Sequence, residues 1–271
     1  MKISATSALV LNWSASELWT ERRTKDYLNN LDLSEGNALL KLFDDYEHYM
    51  HTQAVSGRKY FVLKMVKAFL NRHENKNTQV VILGAGIAPI SVEIASHYPN
   101  TTVFDVDRYL MFDKQKFING NPSNIKFIEC DITDTVDLNA RLFKNGFIAE
   151  VPAIVLMEGI IYYINDIDLL KILKLFKQYN AAFAIDYCVK PELVNKNTRL
   201  LLTEVFRKIA SQIKISPVQF YELNEMKSLF TKAGYETVFA TTLKEIQTER
   251  TGNSHPFENE NYSWIDFVYA E

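Results

Sequence analysis

Apolar residues follow two rhythms along the chain, and the change between them comes close to residue 77. Before it, apolar side chains recur every three or four positions over residues 15–31, 34–51 and 58–71. That spacing predicts three helices, with Ser16 and Ser34 as candidate N-caps. A polar run from Glu74 to Asn77 closes the region. Beyond it, short apolar and β-branched runs alternate with helical spacing. Strands are expected at about 79–83, 102–106, 125–129, 152–157 and 181–187, and helices at about 88–98, 109–119, 135–144 and 167–178. Regular strand and helix alternation is the pattern of a parallel sheet covered on both faces.

After Tyr187 the rhythm changes again. Helices are expected over 196–213 and 221–233, separated by Pro217 and closed by Gly234 as a C-cap. Residues 235–246 then alternate like a strand, 248–261 form a polar loop, and 262–269 read as a last strand. Two strands joined by a loop with no helix between them must pair antiparallel or leave the parallel run.

The stretch with the most chemistry is 79–108, QVVILGAGIAPISVEIASHYPNTTVFDVDR. It reads as strand, glycine turn, helix and second strand, with Asp105 and Asp107 at the second strand's tip. Gly84, Ala85 and Gly86 let a ligand approach the backbone, and the next helix offers free N–H groups. A carboxylate at the second strand's tip can accept both hydroxyls of a ribose. A dinucleotide fingerprint would need a third glycine where Pro89 stands, and no Gly-Lys-Ser or Gly-Lys-Thr phosphate loop occurs. S-adenosylmethionine is therefore the leading ligand.

Three further strand ends carry polar residues: Glu129-Cys130-Asp131-Ile132-Thr133-Asp134, Met157-Glu158-Gly159-Ile160-Ile161-Tyr162-Tyr163, and Ile185-Asp186-Tyr187-Cys188. Taken in order, Arg58, VVILGAG, VFDVDR, CDITD and MEGIIYYI resemble the leucine carboxyl methyltransferase family over about residues 55–190. The resemblance implies S-adenosylmethionine as cofactor. It implies Arg58 on the methionine carboxylate, Gly84, Ala85 and Gly86 beside the cofactor, and Asp107 or Asp105 on the ribose. Asp131 and Ile132 would meet the adenine, and Glu158 the methionine end. Where that family continues its glycine loop with Asp-Thr-Arg after one apolar residue, this chain has Ile87-Ala88-Pro89-Ile90. The expected fold is α/β and Rossmann-like: a mostly parallel seven-stranded sheet with a C-terminal antiparallel hairpin. Residues 1–76 would form a helical cap, residues 77–271 the methyltransferase domain, and about 190–233 a helical insertion in it.

Composition narrows the partners. A net charge of −3 over 271 residues provides no basic field for nucleic acid, and no run of about 18 apolar residues exists to span a bilayer. The two cysteines, Cys130 and Cys188, fit reduced core thiols in a cytoplasmic protein. The expected activity is methylation of a carboxylate or hydroxyl oxygen on a small molecule. Two alternatives remain open: use of the cofactor's own amino-acid tail, and a binding protein without catalysis. Tyr162 and Tyr163 are placed to face a sulfonium, and His48 and His51 are the candidate bases for a hydroxyl acceptor.

Overall fold

The computed structural model describes residues 3–74, 76–118, 122–211, 218–259 and 263–271. Seven strands form one sheet: β1 (Thr78–Leu83), β2 (Thr101–Asp107), β3 (Ile125–Glu129), β4 (Ala153–Met157), β5 (Ala182–Cys188), β6 (Val238–Thr242) and β7 (Ile265–Ala270). Their order is β3-β2-β1-β4-β5-β7-β6. The first five are parallel, and β7 runs antiparallel to both β5 and β6. Strand order reverses between β1 and β4, so a crevice opens there at the carboxyl ends of the strands.

Every residue of β1 is buried, because side chains of alternating sense meet two different cores. Val80 and Ile82 join a cluster with Phe61 and Val66 from α4 (Asp45–Arg72) and Ile94 from α5 (Ile90–His97). Val81 and Leu83 join Leu138 of α7 (Thr135–Lys144), Phe176 of α8 (Asp166–Lys177) and Phe230 of α10 (Leu223–Lys232). The sheet is thus covered by helices on both faces, as strands with apolar residues on both faces require.

The N-terminal region differs in detail from the sequence pattern. It holds α1 (Ala5–Asn12), α2 (Arg22–Asn29), α3 (Ser34–Leu40) and the 28-residue α4. The expected breaks fall elsewhere because caps, and not apolar spacing alone, decide them. Ser4 accepts from Ser7 N at the start of α1, and Asp44 with Glu47 forms a reciprocal capping box at the start of α4. Ser34 is the first helical residue of α3 and not its cap, and Ser16 opens a single 3-10 turn over Ser16–Leu18. Gly57, which interrupts the apolar rhythm, sits inside α4 where another helix presses close. A Cβ there would lie 2.6 Å from Leu243 Cδ1.

Leu243 belongs to α11 (Leu243–Thr251), which lies between β6 and β7 where a loop alone was expected. The antiparallel pair is present, but its connection is helical. The alternation over 235–246 hides a capping box, Thr242 with Glu245, and Gly252 closes the helix at φ 80°. Between β2 and β3 lies α6 (Met111–Phe117), and α9 (Lys196–Ala210) leads toward α10. The expected helix ends at Asn119 and Ile213, the break at Pro217 and the strand start at Tyr262 lie outside the described residues.

Candidate active site

The crevice between β1 and β4 opens into a cavity of ≈ 250 Å³. The β1–α5 loop forms one wall. Gly84 and Gly86 have positive φ, 71° and 48°, which favours glycine. Ile160 also packs so closely that a Cβ on Gly84 would sit 2.8 Å from its Cγ1. Asp107, at the tip of β2, holds this loop: its Oδ2 accepts from Gly86 N at 2.9 Å, and its Oδ1 accepts from Tyr109 N at 3.3 Å. Gly84, Ala85, Gly86 and Asp107 all line the cavity.

Asp105 faces elsewhere. It is fully buried, accepts from Ser91 Oγ at 2.5 Å and pairs with Lys114 at 2.7 Å, and is not among the cavity's lining residues. Lys114 also donates to Ala88 O at 2.7 Å. The pair therefore fastens α6 to the glycine loop from behind.

A second wall is built from charge. Arg58 and Lys59, successive residues of α4, both reach Glu158 Oε1 at 2.9 Å, and all three line the cavity. Asp186, at the end of β5, lies 4.0 Å from Arg58 Nη1 and accepts from Gly159 N at 2.7 Å. Gly159 has φ 70°, and a Cβ on it would stand 3.2 Å from the Arg58 guanidinium carbon. Burial alone would neutralise such a cluster, so its charges must support one another. Burial raises the Glu158 carboxyl, but Lys59 and Arg58 outweigh that and hold it below the usual carboxylate range. Burial dominates at Asp186 and Lys59: it pushes Asp186 up to about 6 and Lys59 down from its ordinary value.

A 3-10 turn, Ile161–Tyr163, places Tyr162 and Tyr163 edge to face at 4.6 Å. Both rings line the main cavity and also a smaller one of ≈ 100 Å³ beside it. The smaller cavity is walled by Trp13, Val55, Cys188, Leu202, Phe206 and Trp264, and His51 lies on it. His51 packs 4.7 Å from Trp13 and 5.6 Å from both Phe43 and Trp264, and its Nε2 has no hydrogen-bond partner among the described residues. Burial, then Lys208 and His48, lower its pKa to about 3. His48 itself is exposed on α4, accepts from Trp13 Nε1 at 3.1 Å, and lines neither cavity.

Of the residues expected from sequence, Arg58, Gly84, Ala85, Gly86, Asp107, Glu158, Tyr162 and Tyr163 meet on one cavity, with His51 on its neighbour. Asp131 and Ile132 do not line it. Asp131 Oδ1 accepts from Thr133 N at 3.0 Å and Thr133 Oγ at 2.8 Å, while its other oxygen pairs with Arg108. Those bonds outweigh partial burial and hold its carboxyl below the usual range. Sequence reading missed Lys59, although two adjacent cations amid the apolar residues of α4 are a signal. It also missed Thr6 and Ser7 of α1, which line the main cavity from a region with no motif. Among the described residues, no cluster of three or more metal-ligating side chains occurs, and no helix is long and apolar enough to cross a membrane.

The leucine carboxyl methyltransferase family model matches residues 15–176. Among solved structures, the chain is similar to a DUF574 family protein from Streptomyces avermitilis: TM-score 0.65 and 15% identity, covering 97% of this chain and 99% of that one. A candidate methyltransferase from Thermobifida fusca gives 0.60 and 14%, covering 92% and 93%. At these identities the likeness is one of fold. No curated protein matches the sequence.

Proposed function

The chain belongs to the leucine carboxyl methyltransferase family, and from that premise we propose that it transfers a methyl group from S-adenosylmethionine to an oxygen of a small-molecule acceptor. The observation that carries the reading is the buried charge cluster on the same cavity as Asp107. Arg58 and Lys59 against Glu158 and Asp186 place two basic and two acidic groups together. A zwitterionic amino-acid tail adds no net charge to such a set, and it can offer its carboxylate to the cations and its ammonium to Glu158. Asp107 retains acceptor capacity for ribose hydroxyls beyond its two backbone bonds. The open face of Gly86, where a Cβ would meet nothing within 4 Å, permits the close approach the cofactor needs. The residues present therefore fit the group.

When bound, S-adenosylmethionine supplies a methyl group on positively charged sulfur. This chain's residues position it and exclude water, which is most of what an in-line displacement asks of an enzyme. Arg58 and Lys59 anchor the tail. Tyr162 and Tyr163 stand at the junction of the two cavities, where an aromatic face attracts a cation by about 0.5–2 kcal/mol. Asp107 lines the cavity, whereas Asp131, held by Thr133 and Arg108, does not; we assign the ribose to Asp107 and leave Asp105 a structural role. Labelled S-adenosylmethionine incubated with the protein and a panel of small acids and alcohols tests the reading. Label in an ester or ether, with S-adenosylhomocysteine as by-product, supports it; methylthioadenosine as by-product would mean that the tail was used.

A further inference from the structure

The smaller cavity has a composition unlike the main one, and it decides what can occupy it. It shares Thr6, Val10, Arg58, Tyr162 and Tyr163 with the main cavity, so a molecule seated in it reaches the place where a cofactor in the main cavity would be met. Its remaining walls are aromatic and aliphatic, apart from Cys188 and His51. Among the described lining residues Arg58 is the one permanent charge, and Arg58 is engaged by Glu158 and, on the proposed reading, by the cofactor's carboxylate as well. A carboxylate or ammonium entering deeply would leave water without a free counter-charge, at high cost.

Among the described residues that line the cavity, His51 is the one with a buried side-chain nitrogen or oxygen left without a hydrogen-bond partner. Its ring is fixed between Trp13 and Trp264, and Nε2 is buried without a partner. A buried polar atom left unpaired is costly, so a ligand that satisfies it is favoured. Size sets the other limit. An apolar cavity of about 150 Å³ takes benzene, so ≈ 100 Å³ together with the shared junction suits a single ring and not a fused system.

We infer that this cavity is the acceptor subsite and that it takes an uncharged, ring-sized apolar group bearing one hydroxyl, which hydrogen-bonds to His51 Nε2. The inference rests on the main cavity's being the cofactor site. It narrows the acceptor from any small acid or alcohol to one whose buried end is a phenol-like ring. Any carboxylate such an acceptor carries stays outside the cavity.

Ligand-observed NMR with phenol, toluene and benzoate, run on the free protein and on protein saturated with S-adenosylhomocysteine, tests it. Phenol should bind about 5-fold more tightly than toluene, the worth of one net hydrogen bond, and benzoate at least about 10-fold more weakly than phenol. His51→Phe keeps the aromatic packing and should bring phenol and toluene to equal affinity. Ala54→Leu fills the cavity from α4 and should abolish binding of both while leaving S-adenosylhomocysteine affinity unchanged. Benzoate binding as tightly as phenol, phenol binding that survives Ala54→Leu, or no saturable phenol binding in either form would overturn the inference. Phenol binding in a protein that ignores S-adenosylhomocysteine would instead keep the subsite and remove the cofactor reading.

Discussion

Asp105 and Asp107 are two residues apart at one strand tip, and the sequence offers no way to choose between them. Both lie within β2 and, two residues apart, share one of its faces, so alternation cannot separate them and only their depth along the strand differs. The structure separates them by partner: Asp107 on the glycine loop at the cavity, Asp105 sealed against Lys114. Removing one member of a buried pair leaves the other unpaired, so Asp105→Ala should cost about 3–5 kcal/mol of stability in urea unfolding. A loss below about 1 kcal/mol would show that Lys114 finds another partner. His51 makes a second residue-scale prediction. It titrates at about 3 in the folded protein and near 6.5 in an unfolded chain. Below pH 6.5 the unfolded chain takes up a proton that the folded one refuses. Stability from this residue is therefore full above about pH 6.5 and falls as pH drops toward 3. Relative to His51→Phe, the parent should lose about 2 kcal/mol between pH 7.5 and pH 5, near 1.4 per unit of the titrating range. Equal pH dependence in the two proteins would place a charged, solvated imidazole at this position.

At the scale of elements, the parallel core was readable because its strands carry apolar residues on both faces, with few polar interruptions such as Asp105, Lys126 and Asp186. The expected strands at 79–83, 102–106, 125–129, 152–157 and 181–187 coincide with β1 to β5 to within a residue or two. Residues 235–246 misled because alternation continues through Thr242, where the capping box with Glu245 turns the chain into α11. Helix α4 misled for a related reason. Gly57 falls between two expected helices, 34–51 and 58–71, yet it serves the approach of α11 through Leu243, a contact between segments far apart in the chain that no local pattern reveals. Gly57→Val should therefore destabilise the protein by about 1–3 kcal/mol through overpacking, despite removing a helix glycine. A gain in melting temperature would mean that α11 moves aside freely.

For the whole molecule, the functional reading depends on α4 bringing Arg58 and Lys59 to the same opening that β1, β2 and β4 create. The glycine loop and Asp107 were legible because they lie within one local unit. The resemblance placed Arg58 and Glu158 each at the cofactor's methionine end, but their pairing with one another across 100 positions was not legible, and Lys59 and the α1 residues had no motif to announce them. The most direct measurement is a calorimetric titration of S-adenosylhomocysteine into the parent, Asp107→Ala and Arg58→Met proteins. The account predicts saturable one-to-one binding by the parent and losses of about 1.5–3 kcal/mol for Asp107→Ala, the worth of a charged hydrogen bond. Arg58→Met should weaken binding at least as much and remove the preference for S-adenosylhomocysteine over methylthioadenosine, which lacks the amino-acid tail. Parent protein that binds neither compound, or variants that bind both as the parent does, would contradict it.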